Sequence, residues 1–515
     1  MFPPVPLSKG TKALSSRLLT WFGISLALPA SALYLFVTGA IKLMQLRAVD
    51  DQASLWTFLQ AWSADHTFAL AAGLSAALLF SRFKGLARLP FVILYGVALT
   101  YMLMMAVASH GYFLSTGANL SWSSIEYWLR NFKSASRVVA SEGVFLRFAI
   151  AYAQPVVVLL ALIVPQLKGP RARLDARAAL SRRAGIALSA ILGLGVVASL
   201  FIGPPRGPAM AVGRAVGANI VADFVEDELM PEARVEIHAT ERLDSELTVR
   251  RDPAAPRTNV VLIMFESLRW NSSDVYEPGL GTTPHLAALA KDALVIDRQY
   301  TVVPHTTKAV TALNCGIYPY LDTEPKEATP GILPRRCLAH LLSAQGYKTA
   351  FFQTASYFEH RDQLVANMGY ETFRGLPDMP SEGYEPVSYF GREDRMMVEP
   401  SLAWVDEVRE EGPFLLTYLT LTTHHNYVYP QSFPAKDYGV EDHDLGNYLN
   451  AVRYTDQVIH EIMEGFRERG ILEDTLFLII GDHGEAFGEH GGRQHDLIMW
   501  DEGLHAFGMI YAPKY

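Results

Sequence analysis

Residues 259–270 read NVVLIMFESLRW. A strand wetted on one face alternates apolar and polar residues. The unbroken run Val260–Phe265 instead suits a strand covered on both faces, as in a parallel sheet. Downstream, strands are expected at Thr349–Gln353, Phe414–Leu421 and Thr475–Ile480. Helices are expected at Thr283–Leu289, Pro334–Ala344 and, with amphipathic spacing, Tyr448–Arg467. This alternation predicts an α/β domain with a mainly parallel central sheet covered by helices. Ligands of such sheets gather at the carboxyl ends of strands. Glu266 ends the first strand, Thr422-Thr423-His424-His425 follow another, and Gly481-Asp482-His483 end a third.

Carboxylate oxygens with an imidazole nitrogen suit a divalent metal ion such as Zn²⁺ or Mn²⁺. A lone acid after a strand is usually a helix cap, and Asp-His alone can be a polar turn. Three strand ends offering Glu, His-His and Asp-His in one domain favour a metal site.

The residues before 206 differ in kind. The chain of 515 residues is 50% hydrophobic and only 19% charged, against about 25% charged in ordinary soluble chains. Nearly all long apolar runs precede residue 206, and 13 of the 15 histidines follow it. Five segments are apolar and about long enough to cross a ~30 Å hydrocarbon core: Leu18–Ile41, Phe68–Phe80, Leu89–Phe113, Phe148–Leu167 and Ile186–Ile202. The second is short and is expected to extend back through Trp56–Thr67. Basic residues cluster before the first span (Lys9, Lys12, Arg17), after the second (Arg82, Lys84, Arg88) and after the fourth (Lys168 to Arg183). On the opposite side Arg47 is offset by Asp50, Asp51 and Asp65. The positive-inside rule then puts the amino terminus in the cytoplasm and everything after Pro204 outside. The aromatic stretch Trp122–Phe132 is either interfacial or a surface loop. The expected organisation is a five-span membrane domain (1–205), a polar extracytoplasmic connector with helices (206–257) and an α/β domain (258–515). A net charge of -9 argues against a nucleic-acid partner.

Five stretches together resemble the alkaline phosphatase–sulfatase superfamily, and within it the lipoteichoic acid synthase and phosphoglycerol transferase branch. They are NVVLIMFESLRW, PHTTKAVTALNCGIYP, YFEHRDQ after GYKTAFF, LTLTTHHNYVYP and IIGDHGEAFGEHG. The resemblance runs from Asn259 to about Pro513, and the five-span anchor is similar to that branch too. It implies a sulfatase-like fold, metal ligands at Glu266, Thr306, Asp482 and His483, and substrate contacts at Arg361, His424 and His495. It implies one divalent ion, manganese first, with zinc and magnesium also compatible. His425, His490 and His505 are weaker candidates.

In the sulfatases the nucleophile lies in a C/S-x-P-x-R pattern with a Gly ten positions on. Counting back from Gly316 reaches Thr306, with Thr307 the alternative; both also suit the cap of a helix beginning near Lys308. Lys308 and Val310 depart from the sulfatase pattern, and Glu266 stands where sulfatases carry an Asp pair, which disfavours sulfate-ester hydrolysis. The implied activity is phosphoglycerol transfer: glycerol phosphate passes from phosphatidylglycerol to a glycan, polymer or lipid acceptor through a phospho-Thr intermediate. A phosphoethanolamine transferase is the rival enzyme, disfavoured because the chain has two cysteines where those enzymes tend to carry several disulfides. An inactive lipid- or glycan-binding member is the rival from another class. Cys315 and Cys337 both follow the last span, where an oxidising compartment permits a disulfide. Superfamily domains usually continue beyond the equivalent of Met509–Pro513, so the fold is expected to be reduced or incomplete at its end.

Overall fold

The computed structural model describes residues 33–47, 53–82, 89–116, 120–122, 125, 129, 220, and 257–515 apart from 321–324, 334–335, 491 and 496–498. The chain divides into two compact units, Met1–Arg234 and Val235–Tyr515.

In the first unit a helix covers residues 33–47, followed by α1 (Leu55–Arg82) and α2 (Leu89–Thr116). α1 joins the short apolar segment Phe68–Phe80 to its backward extension in one helix. Among the described residues one stretch, Ile93–Phe113 in α2, is long and apolar enough to cross a membrane. Residues 18–32 of the first expected span, all of the fourth and fifth spans, and most of Trp122–Phe132 and the connector lie outside the described residues. Asp65, set against Arg47 as an outer-loop charge, instead lies buried within α1. It accepts from the Tyr34 hydroxyl at 3.2 Å and sits 3.8 Å from Lys42 Nζ. Tyr34, Thr38 and Lys42 recur every four residues on one helix face. Asp65 is therefore part of an interhelical polar contact and drops out of the loop charge balance.

The second unit is built on a seven-stranded sheet. Its strands are β1 (Asn259–Phe265), β2 (Leu294–Val295), β3 (Lys348–Gln353), β4 (Thr372–Arg374), β5 (Phe414–Leu419), β6 (Thr475–Gly481) and β7 (Gly508–Tyr511), in the spatial order β2-β7-β6-β1-β5-β3-β4. From β6 to β4 all neighbours are parallel; β7 runs antiparallel to β6 and β2. β1 is central because both of its faces are covered. Val261, Ile263 and Phe265 pack with the long helix His443–Glu468 and the helix Val398–Val408. Leu262 and Met264 pack on the other side with Val310, Leu364 and Val365. Each such buried side chain contributes about 1.5–3 kcal/mol relative to exposure, which is why a continuous apolar run is stable only here.

Element limits differ from expectation in places. Helix Leu338–Ser343 starts later than Pro334, because Cys337 is extended and disulfide-bonded to Cys315. The long helix starts at His443, five residues before Tyr448; the Asp442 carboxylate caps it by accepting from the Asp444 and Leu445 amides. β5 stops at Leu419, where the Asp394 carboxylate takes the Leu421 and Thr422 amides out of the ladder.

Candidate active site

Strand register assembles the site. Phe265 pairs with Gly481, so the next residues, Glu266 and Asp482, emerge side by side. Met264 and Gln353 both pair with Leu419, which brings the ends of β3 and β5 to the same edge. Gly481 admits no side chain, since a Cβ there would lie 2.4 Å from the Leu268 carbonyl oxygen.

Glu266, Asp482 and His483 are all buried, and one ligand atom from each lies within 4.8 Å of the others. Ser267, in the left-handed region at φ 55°, ties them together. Its amide donates to Asp482 Oδ1 at 2.8 Å and its hydroxyl to Glu266 Oε1 at 2.9 Å. Such strain persists where surrounding structure enforces it, often at functional sites. His483 Nδ1 donates to the Gly484 carbonyl at 2.9 Å, which turns Nε2 toward the carboxylates. Nε2 lies 3.4 Å from Asp482 Oδ2 and 3.7 Å from Glu266 Oε1. Asp482 Oδ2 is buried without a hydrogen bond.

The electrostatics match a centre built for a cation. Burial, then the Asp482 charge, pushes the Glu266 carboxyl up to about 7. Burial pushes Asp482 up to about 6. Burial, then His495, pushes His483 down to about 4. Two crowded carboxylates, a neutral imidazole lone pair and an orphaned carboxylate oxygen are the donor set a divalent metal ion satisfies.

Thr306 opens helix α3 (Thr306–Cys315). Its hydroxyl lies 3.3 Å from Glu266 Oε2 and 3.3 Å from His483 Nε2. Thr307 faces away into a buried network, donating to the Glu359 carboxylate and accepting from Arg361 Nη2 at 3.0 Å. Arg361 opens α4 (Arg361–Asn367) and is buried rather than a surface residue.

Glu266, His424 and His495 form a second convergent group, again within 4.8 Å. His424 packs edge-on against Phe390, and His495 lies against the His483 ring at 4.1 Å. Of the weaker candidates, His425 lies beside this group, its ring tilted at 4.1 Å from that of His424, and bonds the Tyr389 hydroxyl. His490 pairs instead with Glu502, and His505 is sandwiched between Trp270 and Tyr300. Sequence reasoning missed Glu485, whose carboxylate bonds His495 Nδ1 at 2.9 Å; its place in DHGE was the available signal. It also missed Glu359, which lies within the quoted YFEHRDQ stretch, and Tyr389 and Phe390, which carry no such pattern.

Residues 258–514 match the family model described as Sulfatase. This part of the chain is a sulfatase-family domain. The domain's likeness to the phosphoglycerol transferase and lipoteichoic acid synthase branch is borne out by curated relatives. It is 27% identical over 252 residues to phosphoglycerol transferase I of Xanthomonas euvesicatoria pv. vesicatoria, covering 46% of this chain and 35% of that protein. It is 24% identical over 259 residues to lipoteichoic acid synthase 1 of Bacillus subtilis, covering 48% of this chain and 39% of that one. The matched region therefore spans little more than a third of these relatives' length. Among solved structures, the integral membrane lipooligosaccharide phosphoethanolamine transferase A of Neisseria meningitidis matches with a TM-score of 0.56 at 16% identity, covering 97% of this chain and 89% of that one. At that identity the likeness is one of fold alone.

Proposed function

We propose that the chain is a membrane-anchored phosphoglycerol transferase that moves glycerol phosphate from phosphatidylglycerol to an acceptor hydroxyl. The observation that carries this reading is the Thr306 hydroxyl, 3.3 Å from both Glu266 and His483, at the amino end of a helix. A helix amino terminus favours a phosphate anion at that point. Glu266, Thr306, Asp482 and His483 would hold one divalent ion, manganese first, with zinc or magnesium also fitting the donors. When bound, that ion supplies positive charge against the phosphoryl oxygens and lowers the pKa of the hydroxyl.

Thr306 Oγ1, its proton released to solvent, forms a bond to phosphorus while the bond to the diacylglycerol oxygen breaks. His424 or His495 delivers the proton that the leaving oxygen needs, or donates to the non-bridging oxygens. Glu485 accepts from His495 Nδ1–H, which orients the ring and stabilises the imidazolium form that donates from Nε2. Arg361 forks onto the phosphate or the glycerol hydroxyls, with Thr307 and Glu359 fixing its direction. In the second half the acceptor hydroxyl gives its proton to the histidine left neutral by the first half and attacks phosphorus, and Thr306 Oγ1 leaves and regains a proton from solvent.

The anchor in this reading has five spans, a cytoplasmic amino terminus and the sulfatase-family domain on the outer side of the cytoplasmic membrane, periplasmic or extracellular. The Cys315–Cys337 disulfide supports an oxidising compartment for that domain. A phosphatase reporter fused after residue 206 is then active and one fused at residue 85 is silent; the reverse pattern refutes the topology.

The donor is tested by incubating the purified protein with headgroup-labelled phosphatidylglycerol and phosphatidylethanolamine in parallel. Diacylglycerol release from phosphatidylglycerol is expected. Release from the ethanolamine lipid alone makes the chain a phosphoethanolamine transferase. Release from neither, with no metal bound by the protein, makes it a binding module.

A further inference from the structure

Two exposed aromatic rings flank one carboxylate on segments that lead directly into the site. Tyr300 is 48% exposed and Trp500 is 56% exposed. Each is braced from behind. Tyr300 stacks on His505 at 4.7 Å, and His505 in turn stacks on Trp270 at 5.0 Å. Trp500 stacks on His490 at 4.3 Å, with that imidazole held by Glu502. Between them lies the exposed Asp501, which accepts from the Tyr300 hydroxyl at 3.3 Å. Trp270 follows Glu266 by four residues, and Tyr300 precedes Thr306 by six. The Gly484 amide, next to His483, donates to the carbonyl of Gly503, two residues after Asp501 in the chain.

We propose that Tyr300, Trp500 and Asp501 form a platform that binds a neutral sugar residue of the acceptor. This deepens the phosphotransfer reading and rests on it for the acceptor's role. The apolar C–H face of a sugar ring packs on the negative face of an aromatic ring, and rings pre-braced by stacking lose little freedom on binding. A carboxylate beside the ring accepts hydrogen bonds from neighbouring hydroxyls, which are stronger than neutral ones. A lipid surface fits less well. Interfacial aromatics work with Lys and Arg against anionic headgroups, whereas the group between these two rings is an acid.

The test is direct binding of cellotetraose, laminaritetraose and chitotetraose to the full-length protein in detergent, by calorimetry. At least one binds the wild type, and Trp500→Ala and Asp501→Asn each weaken it tenfold or more. Tyr318→Ala, an exposed ring outside the platform, leaves it unchanged. Absence of binding to wild type, or binding that survives in Trp500→Ala, overturns the proposal. So does quenching of the Trp500 fluorescence, taken as wild type minus Trp500→Phe, by brominated lipid in nanodiscs. Diacylglycerol release is measured separately without sugar. Its absence defeats the phosphotransfer reading while sugar binding still decides the platform.

Discussion

Thr306 and Thr307 are adjacent in sequence and opposite in surroundings. One hydroxyl faces Glu266 and His483; the other is locked between Glu359 and Arg361. Thr306→Ala should therefore lower transfer by about 10⁴–10⁶-fold, as removal of an essential nucleophile does, while donor lipid and metal still bind. Thr307→Ala should cost far less and act through the aim of Arg361. Paired rate measurements decide it, and a dead Thr307→Ala beside an active Thr306→Ala reverses the assignment. The buried ligands also predict a pH dependence in the metal-free protein. Glu266 is raised from 4.5 to about 7, so between those values the folded state holds a proton that the unfolded state has released. Stability then falls as pH rises. His483, lowered by burial, works in the opposite sense, which is why the comparison is made against Glu266→Gln. Relative to that variant the wild type should lose on the order of 3 kcal/mol from pH 4.5 to 7, read from urea midpoints. Excess Mn²⁺ should return most of it at pH 7. A pH-independent difference contradicts the buried, crowded carboxylate.

At the scale of elements, the site depends on how closely the turn after β6 approaches its neighbour. A Cβ on Gly484 would lie 2.1 Å from the Glu502 carbonyl oxygen, a backbone atom that cannot swing aside. Gly484→Ala should displace His483 and the Asp501–Leu504 segment together, costing about 1–3 kcal/mol of overpacking and most of the metal affinity. Isothermal titration with Mn²⁺ checks this; wild-type affinity contradicts it. The candidate site residues were legible in the sequence because parallel strands leave only their carboxyl ends for polar side chains. Glu266, His424, Asp482 and His483 each follow such a strand. Glu485 was hidden because its carboxylate meets His495, ten residues on, a pairing that only the fold reveals. Tyr389 and Phe390 reach His424 from a short hairpin that no periodicity announces. The first turn of the long helix was hidden for a related reason. His443 and Asp444 are polar and exposed, Gly446 is a poor helix former, and the Asp442 cap marks the start.

For the whole molecule, composition alone separated an apolar first part from a histidine-bearing second one. That contrast survives single-residue errors such as the placement of Asp65, because helix positions, unlike domain composition, depend on tertiary partners. On the proposed reading, which lipid and which acceptor meet at the site depends on side-chain geometry, such as the brace on Arg361 and the rings beside Asp501, and no sequence pattern carries it. The central claim is a covalent glycerophosphoryl group on Thr306. The direct measurement is mass spectrometry of the full-length protein after exposure to phosphatidylglycerol and Mn²⁺ without acceptor. The account predicts a glycerophosphoryl adduct on the peptide holding Thr306, localised by fragmentation to that residue and absent from Thr306→Ala. An adduct on Thr307, a phosphoethanolamine adduct from the rival lipid alone, or diacylglycerol release with no adduct trapped at any time point would contradict it.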